Sequence, residues 1–191
     1  MYLSQYNISL HDAIQLRLTN TLAVRRVVYG LFPAEKDRKN LLFADKGLVK
    51  RERVVLILSA VQPEMPEIGN LLCKKIPDSW FGAEDYNFVT VVNPSCTDSS
   101  EIDPSASRPA VLEWFAKTAP EWGFELKEGR IDELSVDRIT GEGKMIDVGK
   151  ATVSGTLHVT DRERFILCFS RGLGGLRNYG CGLLQIVPVE E

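Results

Sequence analysis

Polar and apolar residues alternate through Tyr2-Leu3-Ser4-Gln5-Tyr6-Asn7-Ile8-Ser9-Leu10, which predicts a strand. From residue 11 the period changes. Ile14, Leu18, Leu22, Val24, Val27, Val28 and Leu31 recur at helical spacing, so one helix is expected over 11–32, stopped by Gly30 and Pro33. NLLFADKG (40–47) and RVVLILSAV (53–61) read as two strands, the second apolar enough to be buried. PEMPEIGNLLCKK (63–75) reads as a short helix and DYNFVTVVNP (85–94) as another strand. The first 95 residues thus read β-α-β-β-α-β.

A Ser-, Asp- and Pro-rich stretch at 96–109 is expected to be a linker. After it come a helix, AVLEWFAKTA (110–119), and four strand-like segments: WGFELKEG, LSVDRITG, KMIDVGKATV and GTLHVT. Thr160-Asp161-Arg162-Glu163 has the form of a capping box opening a helix over 161–170, and LLQIVPV (183–189) reads as a closing strand. The pattern predicts an α+β protein of two tandem ferredoxin-like (RRM-like) domains, 1–95 and 110–191, the second less regular.

Composition sets outer bounds. Of the 191 residues 44% are hydrophobic and 26% charged, the balance of a folded globular chain. No apolar run approaches the ~20 residues that span a bilayer, and the amino terminus lacks the basic flank and apolar block of a secretory signal. The expectation is a cytoplasmic protein. Cys73, Cys96, Cys168 and Cys181 are widely spaced with no C-x-x-C pair, so neither a zinc site nor a disulfide framework is expected. A net charge of −3 argues against a general nucleic-acid coat. Basic residues nevertheless cluster at Lys36, Arg38, Lys39, Lys46, Lys50, Arg51 and Arg53. The usual fate of such a run is solvation, and a local patch of this kind still permits a phosphate partner within a Debye length of ~8 Å.

The feature that calls for chemistry is GLGGLRNYGCG, Gly172 to Gly182. It is not a Rossmann fingerprint, because the order is helix-loop-strand and Arg177 stands at the last glycine position. It is not a Walker A loop, because G-K-[ST] is missing. A helix C-cap with a tight turn accounts for one or two of the glycines. Five, four of them arranged as G-x-G, five residues, G-x-G and the fifth at Gly175 in the spacer, suit a backbone that another backbone approaches closely. Arg171 and Arg177 add fork-shaped donors, so phosphate or RNA backbone is the reading placed ahead of turn chemistry. Tyr179 is equally suited to stacking on a base or to a core.

The segment GLGGLRNYGCGLLQIVPV resembles the carboxy-terminal signature of the CasE family, the repeat-RNA endoribonucleases of CRISPR Cascade complexes within the RAMP superfamily. MYLSQYNISL, VVYGLFP, VLILSAV and NFVTVVNP resemble its earlier landmarks in the same order. The resemblance implies a pair of ferredoxin-like domains that bind a CRISPR repeat hairpin and cut at its base. It also implies retention of the product within a larger antiviral assembly, with no cofactor and no metal required. The implied chemistry is attack of a ribose 2′-hydroxyl on the adjacent phosphate, leaving a cyclic phosphate and a 5′-hydroxyl. By the same resemblance Arg177 is the basic loop residue that contacts RNA, and the glycine loop, Gly172, Gly174, Gly175, Gly180 and Gly182, holds the backbone; Arg171 joins them as an RNA-binding candidate on its charge.

The chain departs from that family where the cutting is done. The family's catalytic histidine, eight residues before the proline of the apolar-Phe-Pro landmark, corresponds to Arg25, and the tyrosine three residues earlier to Leu22. Arginines before the Asn-Pro landmark are replaced in Val89-Thr90-Val91-Val92. An arginine, with a pKa above ~12, is no general base, although it stabilises a developing phosphorane charge. Arg25 therefore carries a functional reading and a structural one, a long side chain at the edge of the helix's apolar stripe. Binding without cutting, slow cutting through charge stabilisation, and use of another group such as His11 all stay open. The two histidines are His11 and His158.

Overall fold

The computed structural model describes residues 1–94, 107–141 and 144–189. Two four-stranded antiparallel sheets organise it. The first runs in the order β2 (Leu42–Val49), β3 (Glu52–Ser59), β1 (Tyr2–Ser9), β4 (Asn70–Lys75). The second runs β6 (Phe124–Gly141), β7 (Lys144–Val159), β5 (Asp85–Val92), β8 (Leu184–Pro188). Each is the strand order of a ferredoxin-like unit, so the α+β expectation of two such units is met.

The expected first helix is two helices. α1 (Leu10–Gln15) is capped by Ser9, whose Oγ accepts from Asp12 N, and it ends where Arg17 turns left-handed at φ 52°. α2 (Thr21–Gly30) restarts on Asn20, whose Oδ1 accepts from Ala23 N at 2.9 Å. Asn and Thr compete for backbone donors and favour caps over helix interiors, which is why 19–21 interrupts an otherwise helical pattern.

The segment read as a helix at 63–75 is a loop followed by β4. Pro63 and Pro66 remove two backbone donors, and Glu64 spends its N–H on Leu31 O at 2.9 Å, outside any local turn. The first unit thus lacks its second helix. DYNFVTVV, assigned from the sequence to the first half, is β5 and sits inside the second sheet between β7 and β8. The sheet changes between Lys75 and Asp85, ahead of the expected linker. Most of that linker, 96–106, lies outside the described residues.

The second unit carries both helices, α3 (Arg108–Thr118) and α4 (Arg162–Arg171). Asp161 rather than Thr160 caps α4, accepting from Arg164 N at 3.0 Å. The irregularity expected in this half is found in its hairpin. The four strand-like segments merge into β6 and β7, of 18 and 16 residues, with register shifts between Leu126 and Glu128 and between Ile131 and Glu133.

Two cores follow. Val24, Val28, Leu31 and Phe32 pack on Tyr6, Ile8, Phe43, Val55, Ile57 and Leu71. The larger core is aromatic, with Phe88 stacked on Phe115 at 5.7 Å and Phe115 edge-on to Trp122 at 5.3 Å. Alternation along β2 feeds both: Phe43 points into the first core, while Leu42 and Ala44, with Leu58 of β3, belong to the second. Among the described residues no helix is long and apolar enough to cross a membrane.

Candidate RNA-backbone site

The glycine loop starts where α4 ends. Gly172 (φ 85°) returns its N–H to Cys168 O at 2.8 Å, and a Cβ there would lie 2.8 Å from the side chain of Leu42. Leu173 is fully buried, and its N–H donates to Gly182 O at 2.9 Å. Gly182 in turn donates to Val91 O at 2.7 Å, and a Cβ on it would stand 2.7 Å from Leu173 O. The two ends of the loop are thereby closed on each other and on the carboxy-terminal end of β5. Gly180 spends its N–H on Arg177 O and lies against the Phe43 ring. These three glycines have no N–H to offer a ligand, so their part is to shape the loop.

The exposed arc is Gly174 to Asn178. A side chain on Gly174 or Gly175 would meet nothing within 4 Å, and among the described residues their N–H groups have no partner. Arg177 opens a single 3-10 turn (Arg177–Tyr179) and anchors only its Nε, to Gly174 O at 3.2 Å. Its terminal nitrogens face solvent. Arg171, in the last turn of α4, is exposed as well.

This arc meets α2. Val24 and Val28 turn into the first core, which leaves Arg25 and Tyr29 half-buried, one helical turn apart on the neighbouring face. The Arg25 guanidinium lies 4.8 Å from the centre of the Tyr29 ring. The Tyr29 hydroxyl donates to Asn178 Oδ1 at 3.0 Å. Arg38 approaches the same ring at 6.0 Å, held by a 2.8 Å bond from its Nε to Phe32 O. Among the described residues, none of Arg25, Arg38, Arg171 and Arg177 has a carboxylate within 4.0 Å. Cations collected without counter-ions suit an anionic ligand.

An adjoining cleft of about 520 Å³ behaves differently. It lies between α2, β2 and the long hairpin, and its lining includes Thr21, Asp45, Arg53, Asp137, Lys150 and Tyr179. Arg53 is paired with Asp45, and Lys150 with Asp137 at 2.5 Å. Thr21 donates its hydroxyl to Asp137 Oδ2 at 2.8 Å. Burial opposes ionisation of Asp137, but hydrogen bonds from Lys150 and Thr21 and the Lys150 charge outweigh it and hold the carboxyl below its ordinary value. These charges neutralise one another.

The structure therefore brings Arg25, Gly174, Gly175 and Arg177 to one place, while Gly172, Gly180 and Gly182 support it from below. Neither histidine is there. His11 is exposed on α1. His158 Nδ1 lies 2.7 Å from Asp85 Oδ1 at the start of β5, about 20 Å of strand from the Val91 end that meets the loop. Hydrogen bonds from Lys127 and His158 lower the Asp85 pKa. Among the described residues no three His, Cys, Asp or Glu side chains group closely enough to hold a metal.

Tyr29, which also packs against the first core, and Asn178 carry no sign of their meeting in the sequence. Arg38 reads there as solvated with Lys36 and Lys39. The two lysines are exposed, but Arg38 is half-buried against Tyr29. The i, i+4 spacing of Arg25 and Tyr29 is the one signal that could have found the cluster.

The sequence profile of the CRISPR associated protein family matches residues 1–188. No curated protein matches the chain. Among solved structures, the CRISPR endoribonuclease Cse3 bound to a 19 nt RNA superposes with a TM-score of 0.82 at 20% identity, covering 98% of this chain and all of that one. The CRISPR-associated protein Cas6e from Escherichia coli K-12 gives 0.75 at 18% identity, over 99% and 100%. A chain of a CRISPR RNA-guided surveillance complex gives 0.71 at 16%, again over 99% and 100%. At these identities the likeness is one of fold.

Proposed function

The chain belongs to the CRISPR associated protein family, and from that premise we infer that it binds the CRISPR repeat RNA hairpin and takes part in processing precursor CRISPR RNA into guide RNA. It does so as a subunit of a Cascade-like assembly, in the cytoplasm. The observation that carries this reading is the meeting of α2 with the glycine loop at Tyr29 and Asn178, which gathers Arg25, Arg38 and Arg177 without a carboxylate among them. The shared fold with an RNA-bound endoribonuclease and with a chain of a surveillance complex supports the same partners.

RNA enters this arrangement by its backbone. Arg177 and the open N–H groups of Gly174 and Gly175 suit phosphate oxygens, and such contacts fix register without reading sequence. Arg25 at the helix position aligned with the family's histidine suits the scissile phosphate. There it stabilises the charge that builds as the 2′-hydroxyl attacks, but it takes no proton.

A second reading has its own observation. With Arg25 in that position, His11 exposed on α1 and His158 held by Asp85 at the far end of β5, no imidazole stands at the site. A subunit that binds and guards processed RNA without cutting it fits that arrangement.

End-labelled RNA of the repeat encoded beside this gene, incubated with purified protein in EDTA, separates the two. One discrete cut assigns processing to this chain, and a shifted but intact RNA assigns binding alone. The absence of any shift overturns the RNA reading.

A further inference from the structure

Tyr29 stands between α2 and the glycine loop, in contact with Arg25, Arg38 and Asn178. Its ring face carries the Arg25 guanidinium at 4.8 Å, with Arg38 at 6.0 Å. Its hydroxyl crosses from the first sheet's helix to the second unit's loop, reaching Asn178 Oδ1 at 3.0 Å. Asn178 sits inside the turn whose first residue is Arg177.

The backbone bonds Tyr179 N to Leu176 O and Gly180 N to Arg177 O fix the shape of that turn. They do not set where its exposed side lies relative to α2, whereas the Tyr29–Asn178 bond does. Accepting through Oδ1 also leaves the Asn178 amide N–H groups turned away from Tyr29 with no partner among the described residues.

An unpaired arginine on the surface samples many rotamers and loses that freedom when it grips a phosphate. An aromatic face that already holds the guanidinium removes part of that loss, and a tether on the loop does the same for Arg177. We propose that Tyr29 is a positioning residue for RNA. Its ring aims Arg25, and its hydroxyl, through Asn178, aims Arg177, so that the two cations meet one stretch of RNA backbone as a preorganised pair.

This rests on the RNA-binding reading above, and the test separates the two. Affinity for the repeat hairpin is measured by fluorescence anisotropy across a salt series, with thermal melting of each variant alongside. Tyr29→Phe keeps the ring and loses the bond to Asn178; Asn178→Ala loses the same bond from the other side. Each is expected to weaken binding about five- to tenfold, and the double variant no further, because both remove one interaction.

The slope of log affinity against log salt should fall in each, but by less than the roughly 0.7–0.9 that marks loss of a whole phosphate contact, because Arg177 is still present and only less well aimed. Tyr29→Leu, which also frees Arg25, should lose more, and that extra loss should vanish in an Arg25→Ala background. Tyr29→Phe that binds as wild type does, or variants whose affinity drops with a lower melting temperature and an unchanged salt slope, overturn the positioning role alone. Wild-type protein that fails to bind the hairpin overturns the parent reading and this one with it. Should the Tyr29 variants not fold, Asn178→Ala decides the matter, since its side chain lies on the surface.

Discussion

Thr21, the first residue of α2, donates its hydroxyl to Asp137 Oδ2 at 2.8 Å, although 116 positions separate them. The long hairpin of the second unit is pinned by this bond to the helix that carries Arg25. Lys150 completes the junction with its 2.5 Å bond to the same carboxylate oxygen.

Asp137→Asn should therefore loosen the hairpin from α2. The folded-state pKa of Asp137 is depressed, so its contribution is fully present above the ordinary carboxylate value of about 3.9 and is lost as pH falls through the lower folded value. At pH 7 the variant is expected to be less stable by about 1 kcal/mol, a modest figure because the carboxylate keeps 36% of its surface in water. The gap should begin to narrow below pH 4 and shrink further as pH falls. Denaturant unfolding at pH 7 and pH 3.5 checks it, and a constant difference across that range counts against the junction.

The glycines of the loop should divide into two classes. Gly182→Ala forces a Cβ to 2.7 Å from Leu173 O at φ 89°, and a destabilisation of about 2 kcal/mol or more is expected. Gly175→Ala meets open space and no positive φ, so its stability should stay within about 0.5 kcal/mol of wild type. Chemical denaturation of both variants distinguishes shaping from exposed positions.

How much of this was legible in the sequence follows from the range of the forces involved. Alternation along β1, the apolar run of β3 and the strand-like segments of β2, β5 and β8 are local signals, and all five are strands. The ferredoxin-like class is right, although the order that suggested it in the first half counted a helix in place of β4 and took β5 from the second sheet. The break between α1 and α2 lay in a local capping signal at Asn20, while the other misreadings depended on partners far away. β4 hid behind two prolines, and only its pairing with Tyr2–Asn7 makes it a strand. β5 lies close in sequence to the first sheet, and only its bonds to β7 and β8 place it in the second. Arg25, Arg177 and the glycine loop were found as motifs, whereas Tyr29 and Asn178 become functional candidates only once 149 residues of chain bring them together.

Arg25→His tests the chemistry. If the position is catalytic in geometry and lacks only a titratable group, the histidine variant should cut the repeat RNA in EDTA at a rate that rises with pH through about 6.5, the ordinary imidazole value. Arg25→Ala should bind more weakly and not cut. A histidine variant that binds RNA and leaves it intact would place the scissile phosphate elsewhere.

Arg177→Ala should weaken repeat-RNA binding by about tenfold and reduce the salt slope by about one contact, with similar losses for unrelated hairpins, because a phosphate contact carries no sequence information. Competition binding against a scrambled hairpin reads this directly. A loss confined to the cognate repeat would instead make Arg177 a reader of bases.

The alternation along β2 has a consequence for how the protein folds. Phe43 faces one core while Leu42 and Ala44, with Leu58, help build the other, so β2 and β3 lend both faces of the first sheet to apolar packing. Cutting the chain between Lys75 and Asp85 would strip an apolar surface from each fragment rather than release two domains. The chain should melt in one cooperative transition, its two halves behaving as a single folding unit.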